Sequence, residues 1–520
     1  MAEESALQYK NSNVLYKFWN EHKTLVWIVA IMFLALALRI YDLGTKSYWV
    51  DEIFTILEGK QTIYQILSSG RLDQPPAYYL PFHLWMQIFG AAEASTRAFS
   101  LLAGISSVVL IFLIGRELFG ETVGLLSSFL LAISGFQIIY SQETRFYSFF
   151  EFTVLLSFFF MILALKTHKK IYIILYVVVS ILMLYSHTIG VFILIAQNLY
   201  FLLQIIRYKK EIITWIICQS MILLLFVPYF FPLIYGKGNV NGAVDIQLGS
   251  AYTPPTLLGI LRSFYLFIIP SRLDLSWKII FTDYALAGIL LGIGVWIYVK
   301  RQGKSSHPDE IGKLIRPLHD SDMAVKLIML FCWLLIPPVM SLIISKAIIP
   351  IYADRYMICV TPALYLLLAV GIFNIRKIIS INISVGIIVI LSIPGLVRYY
   401  QTNINDQWRE AAAYVVENAR PDDMIVFAPE GIEGIYAKSF NWYYRGGLQR
   451  CSLSDDLVNS EAIAGELMNC LPGHNRFWVI MHNTLNQYRA FFLDPNQTTM
   501  QLIKYDPLVN ISVYLFDVKK

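Results

Sequence analysis

Long apolar runs alternate with short polar connections over the first three quarters of the chain. About 20 apolar residues in a helix cross the core of a bilayer, and runs of this kind recur. They predict about eleven membrane spans, at residues 24–42, 96–116, 122–140, 146–165, 171–186, 188–206, 211–233, 284–299, 325–344, 356–374 and 377–397. The pattern therefore predicts an all-α polytopic membrane domain over residues 24–397.

Lysine and arginine residues collect at alternate ends of these predicted spans. If the N-terminus lies in the cytoplasm, every inner end carries them: Lys10, Lys17, Lys23, Arg116, Lys166, Lys169, Lys170, Arg207, Lys209, Lys210, Lys300, Arg301, Lys304, Arg376 and Lys377. Such an excess is typical of the cytoplasmic face. We therefore expect a multi-pass protein of the cell (inner or plasma) membrane, with a cytoplasmic segment 1–23. The long connections 43–95 and 234–283 are expected outside the cytoplasm, together with the C-terminal part.

Residues 398–520 have a different, mixed pattern. Apolar residues recur at helical spacing over 407–418, a turn follows at Arg420-Pro421, and short apolar runs at 424–427, 477–481 and 513–516 predict strands. These features indicate a small extracytoplasmic α/β domain. Because disulfides persist outside the cytoplasm, Cys451 and Cys470 are candidates for one, although their spacing alone leaves the pairing open.

Composition agrees with the membrane interpretation and excludes other classes. The chain is 57% hydrophobic and 15% charged, whereas soluble domains are about 25% charged. The net charge of +5 is small for 520 residues, and no basic face with interleaved aromatics is present, so no nucleic-acid partner is expected. The five cysteines form no Cys-x-x-Cys motif, which gives no support for a zinc or thioredoxin-like site.

The first outer loop, residues 43–95, carries an acidic pair among apolar residues. Asp51 and Glu52 precede apolar residues at helical spacing, and a second amphipathic piece contains Tyr79 and His83. Both pieces could lie on the membrane surface, where a carboxylate could act on a lipid-linked substrate. The alternative interpretation is that the two acids only cap a surface helix.

Other ionisable side chains occur where spans meet the outer face: Glu143, Arg145, His187, Lys346 and Arg355, with Tyr356 beside the last. Such groups at membrane depth usually pair or line a functional cavity, and a planar guanidinium suits phosphate oxygens. Simpler alternatives are a loop ion pair in water, a structural histidine, or an arginine that extends to the interface.

Several segments together resemble the GT-C superfamily of membrane glycosyltransferases. The similarity is to family 39 and its relatives, the protein O-mannosyltransferases and the lipid A aminoarabinose transferases. The segments are Tyr48-Trp49-Val50-Asp51-Glu52, Gln74-Pro75-Pro76-Ala77-Tyr78-Tyr79, Arg97, Gly115-Arg116-Glu117-Leu118-Phe119-Gly120, Ser141-Gln142-Glu143-Thr144-Arg145, Asp354-Arg355-Tyr356 and Trp408-Arg409-Glu410-Ala411-Ala412-Ala413-Tyr414. Their order and topology cover about residues 25–430.

This resemblance implies a GT-C-like membrane domain and an inverting hexosyl- or pentosyltransferase. It implies a polyprenyl-phosphate-sugar donor, a lipid, glycan or protein acceptor, and Asp51 as general base. A divalent metal is possible but not required for a monophosphate leaving group. The aminoarabinose branch has a lysine where this chain has Gln74, so the corresponding phosphate contact is absent or comes from another residue such as Arg71.

Glycosyl transfer to an acceptor at the outer face is therefore the leading hypothesis. A polytopic transporter, or a ligase or polymerase of surface polysaccharide, is the alternative. Besides Asp51, the expected substrate-binding residues are Glu52, Arg71, Gln74, Tyr79, His83, Glu143, Arg145, His187, Lys346, Arg355 and Tyr356.

Overall fold

The computed structural model describes residues 22–68, 75–235, 256–268, 322–348, 350–374, 378–403, 405–428, 434–454, 459–482, 486–494 and 500–518. The chain divides into two compact units. The first unit comprises Met1–Tyr41, Thr62–Leu84 and Ala98–Arg398. The second unit combines Asp42–Gln61, Trp85–Arg97 and Tyr399–Lys520. Parts of the predicted first outer loop thus belong to the same unit as the C-terminal residues.

Most of the described residues are helical. In chain order the helices are α1 His22–Ile40, α2 Val50–Gly59, α3 Ile63–Ser68, α4 Pro76–Phe89, α5 Glu93–Phe119, α6 Glu121–Ile133, α7 Gly135–Ser141, α8 Tyr147–Thr167, α9 Lys170–Leu184, α10 Gly190–Leu203, α11 Ile212–Tyr235, α12 Leu257–Ile268, α13 Asp322–Ala347, α14 Thr361–Asn374, α15 Ile378–Gln401, α16 Trp408–Asn418, α17 Ile435–Tyr443, α18 Ser460–Cys470 and α19 Asn486–Phe492. Two 3₁₀ helices, Lys209–Glu211 and Asp354–Val360, precede α11 and α14.

The membrane helices follow the predicted pattern. Within the described residues, seven helices are long and apolar enough to cross a membrane, or eight if the bent pair α6 and α7 is one span. Two shorter apolar helices, α9 and α10, lie at the predicted spans 171–186 and 188–206. The predicted span 284–299 lies outside the described residues. The polytopic all-α fold is therefore confirmed, while the count of eleven stays a prediction.

Two glycines let α5 and α6 approach closely. A Cβ added to Gly115 would lie 2.7 Å from the Cα of Gly124, and one added to Gly124 would lie 2.6 Å from the Phe112 carbonyl oxygen. Small residues at such contacts are typical of membrane helices, whose backbones gain packing by close approach. A larger residue at either position would force the two helices apart.

The third predicted span is broken at Ser134, where α6 and α7 are bent by 62°. The last carbonyls of a helix have no partner within the helix. Fully buried Arg39 donates from Nη1 to the Ala132 carbonyl (2.8 Å) and from Nη2 to the Leu131 carbonyl (3.3 Å). The Ser134 hydroxyl accepts from the Gln137 amide at the start of α7. These bonds satisfy backbone groups exposed by the break, as membrane depth requires.

The second unit contains a five-stranded sheet between two helical layers. Its strands are β1 Met424–Ala428, β2 Gln449–Ser452, β3 Arg476–His482, β4 Met500–Pro507 and β5 Ile511–Val518, in the order β2-β1-β3-β5-β4. Strands β2, β1 and β3 are parallel, whereas β5 runs antiparallel to both β3 and β4. Side chains of α16 and α17 cover one face of the sheet, and those of α18 and α19 cover the other.

This sheet confirms the predicted small α/β region. The helix predicted at 407–418 and the strands predicted at 424–427, 477–481 and 513–516 are present as α16, β1, β3 and β5. Cys451 in β2 and Cys470 at the end of α18 form a disulfide, with their Cα atoms 5.8 Å apart. The sequence had left this pairing open. Cys218, Cys332 and Cys359 are buried free thiols.

Candidate active site

Segments from three predicted outer ends of spans come together in the first unit. The guanidinium carbon of Arg145 lies 5.6 Å from the ring centroid of Tyr147, and that of Arg355 lies 6.0 Å from the same ring. The rings of His187 and Tyr356 pack with their centroids 4.7 Å apart. We call these five residues the cation cluster. Arg145, Tyr147 and His187 are buried, whereas Arg355 and Tyr356 are half-buried.

Burial and the two arginines of the cation cluster keep His187 neutral. Burial, and then the charges of Arg145 and Arg355, lower the pKa of His187 to about 3. Its Nδ1 accepts a hydrogen bond from the Ile189 amide at 3.1 Å, so the neutral ring carries its proton on Nε2. His187 therefore supplies an N–H donor, and the positive charge of the cluster comes from its two arginines.

The Pro-Pro-Ala-Tyr-Tyr segment at the start of α4 packs beside this cluster. The Ala77 amide donates to the Tyr185 carbonyl at 3.2 Å, which joins the start of α4 to the turn that carries the cluster histidine. The Tyr78 ring stands edge-on to that of Phe146, with 6.3 Å between their centroids. The Phe146 ring in turn lies 4.8 Å from the guanidinium carbon of Arg145. Two motifs that are far apart in sequence therefore meet around one arginine.

The backbone around Arg145 is fixed by α1 and α5. Gln142 Nε2 donates to the carbonyls of Arg39 (2.9 Å) and Tyr41 (2.7 Å) at the end of α1. The hydroxyl of Ser100, in α5, donates to the Arg145 carbonyl at 3.0 Å. Because these bonds are made by groups with little exposure to water, they restrict the backbone from which the Arg145 side chain extends.

A buried polar network links the elements that carry the two cluster arginines. Glu151 in α8, Gln137 in α7 and Thr361 at the start of α14 are all fully buried. The Gln137 amide nitrogen donates to Glu151 Oε1 and to Thr361 Oγ1, both at 2.7 Å. Arg145 lies between α7 and α8, and Arg355 lies in the 3₁₀ helix before α14. The network therefore sets the relative positions of these two arginines.

The acidic pair Asp51-Glu52 lies in the first turn of α2, in the second unit. Glu52 is fully buried, and both of its carboxylate oxygens accept from Arg97, Oε1 from Nε (2.8 Å) and Oε2 from Nη2 (2.7 Å). Asp51 is half-buried, because successive residues of a helix face different directions. This geometry favours a positioning role for Glu52 and leaves Asp51 as the stronger catalytic candidate.

The N-terminus of α2 is fixed by residues of the same unit that are distant in sequence. Asp406 Oδ2 accepts from the Val50 amide at 3.3 Å, where a carboxylate also complements the helix dipole. The Tyr48 amide donates to the Tyr443 hydroxyl at 2.8 Å, and that hydroxyl donates to Glu93 Oε1 at 2.8 Å. The backbone that carries the acidic pair is thus held by both sequence parts of this unit.

The other predicted site residues differ in burial. Tyr79 and Glu143 are buried, His83 is half-buried, and Lys346 is exposed in the last turn of α13. Arg71 and Gln74 lie outside the described residues. Among the residues that the structure does describe, no group of three or more His, Cys, Asp or Glu side chains could hold a metal ion.

Sequence reasoning missed the positioning roles of Arg39, Arg97 and Glu151. Arg39 and Glu151 are isolated ionisable residues inside apolar runs, which is a recognisable signal because such residues are costly in a membrane. The partner of Arg97 could not be predicted, since Glu52 is 45 residues away in sequence. That pair follows from the tertiary arrangement of α2 and α5.

Comparison with protein families identifies one matching model, described as dolichyl-phosphate-mannose-protein mannosyltransferase, over residues 73–231. The matched part contains the start of α4, the segment with Arg145, and His187. No curated protein sequence matches the chain significantly.

Solved structures of low sequence identity share the fold. The crystal structure of ArnT from Cupriavidus metallidurans bound to undecaprenyl phosphate aligns with a TM-score of 0.56 at 11% identity, covering 94% of this chain and 98% of that one. The apo oligosaccharyltransferase of Archaeoglobus fulgidus aligns with a TM-score of 0.53 at 10% identity, covering 91% and 71%.

The archaeal oligosaccharyltransferase AglB from Archaeoglobus fulgidus, in complex with an inhibitory peptide and a dolichol-phosphate, aligns with a TM-score of 0.53 at 11% identity. That alignment covers 95% of this chain and 74% of AglB. The predicted GT-C fold is therefore confirmed for this chain.

Proposed function

We propose that this GT-C-fold protein is an inverting glycosyltransferase that moves a sugar from a polyprenyl-phosphate donor to an acceptor at the outer face of the membrane. The observation that carries the proposal is the cation cluster, in which the guanidinium carbons of Arg145 and Arg355 lie 5.6 and 6.0 Å from the centre of one tyrosine ring, beside a neutral histidine. Two guanidinium groups can bind the oxygens of a phosphate monoester, and the Nε2–H of His187 adds a neutral donor.

The relatives of similar fold support a lipid phosphate as the bound group. The ArnT structure contains undecaprenyl phosphate, and the AglB structure contains a dolichol-phosphate. In this chain the two arginines lie in a helical unit with apolar spans, where a polyprenyl chain can be accommodated beside its phosphate. As that phosphate leaves the sugar, its negative charge increases, and fixed cations with little access to water stabilise it.

Asp51 is assigned the role of general base. The acceptor hydroxyl gives its proton to the Asp51 carboxylate while its oxygen bonds to the anomeric carbon from the face opposite the phosphate. The bond between the anomeric carbon and the phosphate oxygen breaks, and the lipid phosphate leaves with that electron pair. Proton removal by a positioned carboxylate supplies about 10²–10⁴ in rate. Glu52 is not the base, because both of its oxygens accept hydrogen bonds from Arg97.

The disulfide Cys451–Cys470 supports an extracytoplasmic location of the C-terminal domain, because cytoplasmic reductants keep thiols reduced. Orientation is tested with Tyr64→Cys, Met468→Cys and Lys169→Cys, three exposed positions. In intact cells an impermeant maleimide should label positions 64 and 468 but not 169. Labelling restricted to position 169 would reverse the proposed orientation.

The phosphate site is tested by the binding of undecaprenyl phosphate to purified protein in detergent, measured by native mass spectrometry. Arg145→Gln and Arg355→Gln should each weaken binding by about 10- to 100-fold, the effect of losing one charge-assisted contact. Arg398→Gln removes an exposed arginine at the end of α15 and should bind like the wild type.

Catalysis is then measured by incubating the wild-type protein with undecaprenyl-phosphate hexoses and pentoses and assaying release of undecaprenyl phosphate. Release of undecaprenyl phosphate that occurs only when an acceptor for the sugar is present supports glycosyl transfer. Wild-type affinity in both cluster variants would place the phosphate elsewhere. Binding of the donor without release under any acceptor condition would favour transport or ligation of another substrate.

A further inference from the structure

A second candidate binding site lies at the other end of the helical unit. A cavity of about 460 Å³ is formed by the C-terminal ends of α5, α8 and α10, the segment 207–211, and the N-terminal part of α13. Each of these elements contributes at least one charged or aromatic side chain to the lining. The proposed reaction uses none of these residues.

Charge in this cavity is graded from mouth to floor. Lys166 and Arg207 are exposed at the mouth, and Lys326 is half-buried behind them. The floor is apolar and buried, with Met161 fully buried and Met329 2% exposed. The lining contains three lysine or arginine residues and two glutamates. Lys166 pairs with Glu117 at 2.5 Å and His168 with Glu211 at 3.2 Å, so the excess of positive charge rests on Arg207 and Lys326. Positive charge at the mouth and an apolar floor together suit an amphiphile with an anionic head group. A soluble anion would contact only the charged residues at the mouth.

The cavity is separated from the cation cluster by the thickness of a membrane. Helix α8 begins at Tyr147, which belongs to the cluster, and reaches Lys166 at the cavity. Nineteen residues of helix span about 29 Å at 1.5 Å per residue, which is close to the thickness of a bilayer core. The cavity therefore opens at the opposite membrane face, where basic pockets between helices bind anionic lipid head groups.

We infer that this cavity binds an anionic phospholipid, with the phosphate near Arg207 and Lys326 and the start of an acyl chain on the apolar floor. A pair of tyrosines in the wall of the cavity also suits a phospholipid. Tyr200 and Tyr208, which both line the cavity, hydrogen-bond to each other with 3.0 Å between their hydroxyls. Tyrosine is enriched at membrane interfaces, where its ring is apolar and its hydroxyl meets polar groups.

The test compares lipid binding to delipidated, purified protein by native mass spectrometry. The probes are dioctanoyl phosphatidylglycerol, dioctanoyl phosphatidylcholine and inorganic phosphate. Phosphatidylglycerol should bind more tightly than phosphatidylcholine, and the double variant Arg207→Gln/Lys326→Gln should weaken its binding about tenfold or more. The control Lys169→Gln/Lys170→Gln removes two exposed lysines that do not line the cavity and should retain binding.

A third variant, Leu165→Trp, narrows the cavity from a half-buried position without changing its charge. It should also weaken phosphatidylglycerol binding, which keeps the inference testable if the charge variant folds poorly. If the control Lys169→Gln/Lys170→Gln loses as much phosphatidylglycerol affinity as Arg207→Gln/Lys326→Gln, the attraction is non-specific and the proposed site is wrong. Equal affinity of the wild type for phosphatidylglycerol and phosphatidylcholine would also overturn the proposed site. Displacement of the lipid by an equal concentration of inorganic phosphate would assign the mouth to a soluble anion instead.

Discussion

The Glu52–Arg97 pair of the second unit and the cation cluster of the first unit both bury an arginine, but the neighbours of the two arginines differ. Arg97 makes five hydrogen bonds, two to Glu52 and three to backbone carbonyls of residues 43, 46 and 47. The Arg145 guanidinium lies near the rings of Phe146 and Tyr147, and its charge acts on the nearby His187 together with that of Arg355.

This difference separates an arginine that stabilises the fold from one suited to bind a ligand. A guanidinium has five N–H donors, and Arg97 uses all five on oxygens of its own unit. Arg145 and Arg355, by contrast, share one aromatic neighbour, Tyr147, whose ring attracts both positive charges. Two such arginines near each other repel, and a phosphate between them would relieve that repulsion. We therefore expect substitutions in the two regions to fail in different ways.

The largest effect is expected on the stability of the second unit. Arg97→Gln removes the arginine that pairs with the fully buried Glu52 carboxylate, and breaking such a pair costs about 3–5 kcal/mol. Glu52→Gln should be similarly destabilising because it leaves the buried guanidinium uncompensated. The midpoint of thermal unfolding, followed by tryptophan fluorescence in detergent, measures both.

Glu417→Gln is the matched control, since it removes an exposed acid of the same unit. Its midpoint should equal that of the wild type. If Glu52→Gln keeps the wild-type midpoint but loses transfer, Glu52 contacts substrate and the contrast between the two regions fails.

The next effect concerns Asp51 and is catalytic. Asp51→Asn keeps the size of the side chain but removes the base, so transfer should fall at least about a hundredfold. Its unfolding midpoint and its affinity for undecaprenyl phosphate should remain near wild type, unlike those of Glu52→Gln and Arg145→Gln respectively. Assays of transfer, unfolding and lipid binding on one preparation separate the three outcomes. Near-normal transfer by Asp51→Asn would remove it from the mechanism.

Much of the fold was predictable because its signals are local. Apolar runs predicted the long helices, and short apolar stretches predicted β1, β3 and β5. Strands β2 and β4 were missed, since Gln449–Ser452 is a short edge strand with one apolar residue and β4 is interrupted by an irregularity between Leu502 and Lys504. The break at Ser134 was also missed, because the apolar run continues through it.

The site was predictable only in part. Arg145, His187 and Arg355 stand out because ionisable residues at the ends of apolar runs are rare, and the structure places them together. What sequence could not supply was pairing across long separations. Glu52 was expected to bind substrate beside Asp51, yet its carboxylate is directed to Arg97 by the packing of α2 against other elements of its unit. Its predicted substrate contact stays untested.

The smallest effect expected is a pH dependence that belongs to His187. Burial and the charges of Arg145 and Arg355 hold the pKa of His187 near 3 in the folded protein, whereas an unfolded histidine has a pKa of about 6.5. Between these values the unfolded chain binds the extra proton, so this contribution to stability is complete above about pH 6.5 and is lost as the pH falls toward 3.

The unfolding midpoint of the wild type should therefore drop between pH 7.5 and pH 5.0, and that of His187→Gln should drop by a few °C less. Saturating undecaprenyl phosphate should reduce the dependence of the wild type, because a bound anion offsets the two arginine charges that disfavour protonation of His187. An identical pH dependence in His187→Gln and wild type, with or without the lipid, would mean that the cation cluster does not control this histidine.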